Sequence, residues 1–276
     1  MIATQALAQG VQTLKAAGID GAARDARRLM AHALAVPPDR LTLMLQDPLS
    51  ADQHARFDDA IAQRCSHKPV AQITGRRLFW GREFRVTADV LDPRPETEAL
   101  IAAALAEPFD RVLDLGTGSG CILLTLLAEA ESATGMGVDL SPQALEVARD
   151  NALRLGVAAR ARLECSDWFA TVEGGFDLIV SNPPYIPTDE YRALAPGVTK
   201  WEPRLALSPG DDGLAAYRAI TGGLAGHLRP GGRLLLEIGP TQADGVSTLC
   251  REAGLALAPV LKDMDGRDRV VQARLA

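Results

Sequence analysis

The stretch RVLDLGTGSGCILL, Arg111 to Leu124, decides the fold. An apolar strand runs to Leu115, glycines follow at 116, 118 and 120, and an apolar helical run begins behind them. Glycine in such a turn permits unusual φ and lets the backbone come close to a ligand. A dinucleotide fingerprint would place its third glycine three positions after Gly118, where Cys121 stands, so the spacing departs from a nicotinamide site. A tight strand-to-helix connection without a ligand is the plain alternative.

Working outward, the chain alternates strands and helices. Strands are expected at 111–115, 135–140, 161–166, 176–181, 233–239, 255–261 and 268–275, with helices at 119–130, 142–155, 213–228 and 241–253. That alternation implies a mostly parallel, doubly wound α/β sheet with ligands at the carboxyl ends of its strands. The last two strands are separated only by KDMDG, too short for a crossover helix, and should form an antiparallel hairpin. Toward the N-terminus, residues 1–69 are rich in Ala, Leu and Arg at helical spacing, and Ser50 is the expected N-cap of one amphipathic helix. Residues 70–90 switch to a β-rich pattern around Gly75 and Gly81, expected to be a hairpin linker to the domain at 91–276.

The 276 residues, 47% of them hydrophobic, are enough to bury a sizeable core. No run reaches 18 uninterrupted apolar residues, so no membrane association is expected and a cytoplasmic location is the default. Cys65, Cys121, Cys165 and Cys250 form no C-x-x-C pair, the four histidines lack metal-ligand spacing, and no metal is expected. The net charge of −6 is uneven, +3 over residues 1–90 and −9 over the remainder. Arg64, Lys68, Arg76, Arg77, Arg82 and Arg85 concentrate positive charge in a segment that could meet an acidic surface or be an ordinary solvated linker.

Three strand ends carry the ligand reading. Asp139 ends the second strand of the domain, where a carboxylate could accept both hydroxyls of a ribose. Asp167 and Trp168 follow the third, where they could flank an adenine. The fourth strand breaks into Asn182, Pro183, Pro184 and Tyr185. An amide is no base, but the Asn182 side-chain carbonyl and the Pro183 main-chain carbonyl can accept the N–H bonds of a planar nitrogen. The prolines stiffen that geometry, and Tyr185 could pack on the planar target. The motif alone leaves a carboxamide and an exocyclic base amine equally open.

Together, DLGTGSG, VDLS and SDW resemble the class I S-adenosylmethionine-dependent methyltransferases. That resemblance implies a Rossmann-like, seven-stranded sheet with a reversed final hairpin. It implies S-adenosylmethionine as cofactor, S-adenosylhomocysteine as product, and a cofactor set of Gly116, Thr117, Gly118, Ser119, Gly120, Asp139, Asp167, Trp168 and Asn182. PVAQITGRRLFWGREFRV, DPRPETEAL, NPPYIP, GDDGLAAYRAI, LLLEIG and DGRDRVV further resemble the peptide-chain release factor glutamine methyltransferases, the HemK or PrmC family. This second resemblance implies N5-methylation of the glutamine in the Gly-Gly-Gln motif of class 1 release factors. Asn182, Pro183 and Tyr185 would be catalytic, Pro184 would join them in binding substrate, and the N-terminal helices would dock the protein. One departure is Asp92, where an apolar residue is common. Rival readings are a ribosomal-protein glutamine methyltransferase and an adenine-N6 or guanine-N2 nucleic-acid methyltransferase. Against the latter, no target-recognition domain follows the sheet and the net charge gives no phosphate footprint. A monomer acting on protein, without nucleic-acid substrate, is expected.

Overall fold

The computed structural model describes residues 1–210 and 212–276, so Asp211 of the GDDGLAAYRAI stretch lies outside the described residues. The chain divides into two units, Met1–Arg76 with Ala195–Trp201, and Arg77–Leu194 with Glu202–Ala276.

The smaller unit holds α1 (Ala3–Ala16), α2 (Ala22–Ala33), α3 (Leu41–Met44), α4 (Ala51–Cys65) and α5 (Val70–Thr74). The apolar stripes of α1, α2 and α4 meet around Leu14, Leu29, Met30, Phe57 and Ile61. A side chain on Gly10 would lie 2.7 Å from the Phe57 ring, so its absence lets α1 and α4 approach closely. Ser50 caps α4 as expected: Gln53 N–H donates to Ser50 Oγ at 3.1 Å and Ser50 N–H to Gln53 Oε1 at 2.9 Å. The later segment is tied to these helices by Trp201, whose indole donates to the Ser66 carbonyl at 3.0 Å and whose carbonyl accepts from Gln72 at 2.8 Å.

The larger unit opens on a hairpin of β1 (Arg76–Phe79) and β2 (Arg82–Arg85), then α6 (Glu98–Leu105). Alternation follows through β3 (Arg111–Leu115), α7 (Cys121–Glu129), β4 (Thr134–Asp139), α8 (Pro142–Arg154), β5 (Ala161–Cys165) and β6 (Phe176–Ser181). Beyond β6 come α9 (Thr188–Ala193), α10 (Pro196–Thr199) within the smaller unit, α11 (Ala215–Gly222), β7 (Leu228–Glu237) and α12 (Ala243–Glu252). The chain closes with β8 (Leu255–Leu257), β9 (Leu261–Lys262) and β10 (Asp268–Leu275).

The sheet runs β5-β4-β3-β6-β7-β10-β8, parallel from β5 to β7, with β10 antiparallel to β7, β8 and β9. One apolar layer on the sheet contains Leu100, Ile101, Leu123 and Leu127, and the other contains Tyr217, Ile220, Val246 and Cys250, so helices cover both faces. Because β4 and β5 lie on one side of β3 and β6 and β7 on the other, the chain reverses direction beside β3. In open α/β sheets that reversal leaves a crevice at the carboxyl ends of the strands.

Three expectations need correction. Residues 70–74 are helical, and only 76–85 form the hairpin, turning at Trp80 and Gly81, both of positive φ as a two-residue turn requires. Phe79 and Phe84 are buried with Leu100 and Ile101, so the hairpin belongs to the core of the larger unit and is no linker. The strand expected over 255–261 is split into β8 and β9, because Pro259 lies between them and a proline has no N–H for a ladder; among the described residues the sheet therefore counts eight strands.

Four of the basic side chains in the positive segment pair with carboxylates of the same chain. Arg64 pairs with Asp25 at 2.9 Å, Arg82 with Glu129 at 2.7 Å, Arg77 with Asp92 at 3.5 Å and Arg85 with Asp150 at 3.6 Å. Lys68 lies 5.5 Å from the centre of the Trp201 ring. Among the described residues no helix is long and apolar enough to cross a membrane, and no group of three or more His, Cys, Asp or Glu could hold a metal.

Candidate active site

A cavity of about 400 Å³ opens at the carboxyl ends of β3, β4, β5 and β6. That size lies within the usual range for small-molecule sites. Its walls are built by the turns that follow each strand.

After β3, the buried Asp114 carboxylate accepts from Thr117 Oγ1 at 2.7 Å and from Leu123 N–H at 3.3 Å, folding the glycine-rich turn back onto the strand. Burial pushes the Asp114 pKa up to about 7 against those two hydrogen bonds. Gly116 and Gly118 have φ of +73° and +55°, and a Cβ at either would meet no protein atom within 4 Å. The backbone there is bare toward the cavity, as a close approach to a ligand requires. Thr117 and Ser119 line the same wall. Gly120 does not: it begins α7, and a side chain there would lie 2.7 Å from Leu124, so its role is helix packing.

At the end of β4, Asp139 accepts from Gly118 N–H at 2.8 Å and from Ser141 N–H at 2.9 Å, one to each carboxylate oxygen. Each oxygen keeps a further lone pair for a ligand hydroxyl. Burial raises its pKa, and these backbone donors oppose that shift. After β5, Ser166 Oγ donates to the Trp168 carbonyl at 2.9 Å and accepts from Thr171 N–H at 3.1 Å. The pair of bonds holds Trp168 at a φ of +50°, with Asp167 and Trp168 both on the cavity wall.

Beyond β6 the Asn-Pro-Pro-Tyr turn divides. Asn182 and Pro184 line the cavity, and Asn182 Nδ2 donates to Thr97 Oγ1 at 3.3 Å. Pro183 and Tyr185 are not among the lining residues. The Tyr185 ring packs against the core that contains Tyr217, Ile238 and Val246, and it borders a separate cavity of about 270 Å³. The reason is the anchoring of its backbone, since Gln242 Nε2 donates to the Tyr185 carbonyl at 2.9 Å while Gln242 Oε1 accepts from Gly239 N–H at 2.9 Å. Burial, with Glu237 nearby, pushes the Tyr185 phenol up to about 12.

Residue spacing did not single out Arg94 and Thr97 of DPRPETEAL, nor the apolar Pro203, Leu205, Ala206 and Pro209, all on the cavity wall. The Arg94 guanidinium donates through Nη2 to both oxygens of the buried Glu202, at 2.6 and 2.8 Å. Burial raises the Glu202 pKa while Arg94 lowers it. Asp92 is buried beside Arg77, so the unexpected carboxylate carries its own counter-charge.

The family description "PrmC N-terminal domain" matches residues 5–75, and "Methyltransferase small domain" matches residues 89–195. A release factor glutamine methyltransferase of Cereibacter sphaeroides is 64% identical over 275 residues, covering 100% of this chain and 99% of its own. One from Rhodospirillum rubrum is 43% identical, over 97% of this chain and 83% of its own. Among solved structures, a methyltransferase from Pyrococcus furiosus superposes with a TM-score of 0.55 at 17% identity, over 79% of this chain and 98% of that one, a likeness of fold alone.

Proposed function

This chain belongs to the release factor glutamine methyltransferases, and we propose that Asp139, the Gly116–Ser119 turn and Asn182 carry its chemistry. The enzyme transfers the methyl group of S-adenosylmethionine to the side-chain amide nitrogen, N5, of the glutamine in the Gly-Gly-Gln motif of class 1 release factors, leaving S-adenosylhomocysteine. The cavity suits that donor: bare glycine backbone, an acceptor carboxylate at Asp139 and an indole at Trp168 stand on one wall.

The observation that supports the roles best is the orientation of Asn182. Asn182 lines the cavity and its NH₂ is engaged by Thr97, which leaves Oδ1 as the side-chain atom available to accept. A carboxamide nitrogen is a poor nucleophile because its lone pair is delocalised into the carbonyl. Asn182 Oδ1 accepts an N–H bond of the substrate amide and holds its nitrogen in line with the methyl group. As the N–C bond forms, the C–S bond breaks, the sulfonium becomes a neutral thioether, and the nitrogen releases its extra proton to water. Positive charge spreads during the transfer, so the apolar wall of Pro203, Leu205 and Ala206 does not oppose it.

A glutamine side chain offers little for recognition, so selectivity must draw on surfaces away from the methyl group. We assign that task to the helical unit of residues 1–76, with the chain acting as a monomer in the cytoplasm where release factors work. The test is incubation of the full chain with labelled S-adenosylmethionine, release factor, DNA and RNA. Label on the glutamine of a Gly-Gly-Gln peptide is expected. Label on nucleic acid with none on release factor would overturn the reading.

A further inference from the structure

Arg94 stands on the cavity wall, and the reaction outlined above gives it no task. A guanidinium has N–H donors on every nitrogen. Nη2 donates to both oxygens of the buried Glu202, at 2.6 and 2.8 Å, while Nε and Nη1 donate to none of the described residues. The side chain is 37% exposed, so water reaches those N–H groups while the cavity is open. When substrates fill the cavity that water is displaced, and an N–H left without an acceptor then weakens binding. The molecule seated beside Arg94 therefore brings an acceptor of its own.

We propose that Arg94 is a substrate-binding residue whose unpaired N–H groups take a main-chain carbonyl of the Gly-Gly-Gln segment. Place, charge and the chemistry of the segment select that acceptor. Arg94 is the N-cap of the 3-10 turn Pro95–Thr97, and Thr97 accepts from Asn182 Nδ2 at 3.3 Å. The turn thus belongs to the side of the cavity where the glutamine amide is held, away from the turns that follow β3, β4 and β5. Glu202 already neutralises the guanidinium, and Arg77 and Asp92, close enough to act on Glu202, pair with each other at 3.5 Å. A group of charges that cancels in this way has little Coulomb attraction for another carboxylate, such as that of the methionine moiety. A carbonyl needs a donor and no counter-charge, so it suits the site. Glycines have no side chains, which leaves only main-chain carbonyls and the glutamine Oε1 as acceptors in the segment. A donor on Oε1 would draw the nitrogen lone pair further into the carbonyl, a contact stronger before transfer than during it, and such a contact slows the step. The main chain remains.

The assignment rests on the proposed seating of the glutamine amide at Asn182. The experiment uses the full chain, with steady-state methylation of intact release factor and calorimetry with S-adenosylhomocysteine and methylthioadenosine, which lacks the carboxylate. Arg94→Met keeps the stem and removes every donor. Arg94→Met/Glu202→Met also removes the carboxylate that the single variant would leave buried without a partner. In both, KM for release factor should rise about 10-fold or more, with kcat within about 3-fold and S-adenosylhomocysteine affinity within about 2-fold of the parent. Arg94→Lys keeps a cation for Glu202 but has a single nitrogen, which that carboxylate occupies. It should show the same rise in KM, and it decides the matter if the methionine variants do not fold. An unchanged KM in the folded variants overturns the assignment. So does a fall in S-adenosylhomocysteine affinity of more than about 10-fold with methylthioadenosine unaffected, which would put the cofactor's carboxylate on Arg94. Asn182→Ala is measured beside them, and a full turnover rate there would remove the seating of the amide itself, whatever the Arg94 variants show.

Discussion

Replacing Asp139 by alanine tests the cofactor assignment most directly. The carboxylate spans two backbone donors, Gly118 N–H at 2.8 Å and Ser141 N–H at 2.9 Å, and the residue lines the cavity. Alanine removes the acceptor for the ribose hydroxyls and also frees the Gly118 amide that shapes the glycine-rich turn. Hydrogen bonds to a charged group contribute about 1.5–3 kcal/mol, and the two ribose contacts share one carboxylate, so their losses do not add. The affinity for S-adenosylmethionine should fall by about 1.5–3 kcal/mol, on the order of 10- to 150-fold. Titration calorimetry measures this without turnover, and S-adenosylhomocysteine serves equally well. Asp139→Asn offers a second measure, since its NH₂ must face one of the two backbone donors and should weaken binding in the same direction. An Asp139→Ala affinity within about 2-fold of the parent would take this residue out of the site.

Asn182→Ala should slow single-turnover methyl transfer by ~100-fold or more while leaving cofactor affinity nearly intact; comparable losses in both would place Asn182 in cofactor binding instead. Phe84, fully buried and edge-on to Phe79 at 6.1 Å, should lose about 3–5 kcal/mol of stability on truncation to alanine in urea unfolding. A loss below about 1 kcal/mol would detach the hairpin from the core. Because Glu237 holds its proton more tightly in the folded chain, its contribution to stability is full below about pH 4.5 and is lost as pH rises through about 7. Its surroundings are Arg269, Arg94, Glu96, Thr97, Tyr185 and Tyr217. Glu237→Gln cannot titrate, so it should gain on the order of 1–3 kcal/mol relative to the parent between pH 5 and pH 8, as read by denaturation at each pH. Asp114 titrates in both proteins and cancels; equal slopes would show that Glu237 is not buried as a titrating acid.

The cavity wall at the strand ends was legible because its parts obey local rules. A strand, a glycine-rich turn and a helix place Gly116 and Gly118, and Asp139 needs only to end the next strand. The residues behind Asn182 obey no such rule. Thr97 lies 85 positions from Asn182, and Arg94 lies 108 positions from Glu202, so only the folded sheet brings them together. Tyr185 shows the limit within a motif: four residues share a turn, but Gln242, 57 positions away, holds the Tyr185 carbonyl and the ring lies against the core. The basic segment misleads for the same reason, since the carboxylates that neutralise Arg64 and Arg82 stand 39 and 47 residues away.

The ties between Trp201, Ser66 and Gln72 set a timetable for synthesis. The helical unit is encoded first, yet one of its parts, Ala195–Trp201, is made about 120 residues after Arg76 has been added. At about 5–20 residues per second, that segment trails by roughly 6–24 s. During the interval the Ser66 carbonyl and the Gln72 side-chain amide lack their Trp201 partners, while the cavity wall from Gly116 to Trp168 is already being translated. The unit that begins the polypeptide is thus completed only at Trp201, and a nascent chain stalled before residue 195 should leave the segment around Ser66 and Gln72 more open to protease than it is in the released protein.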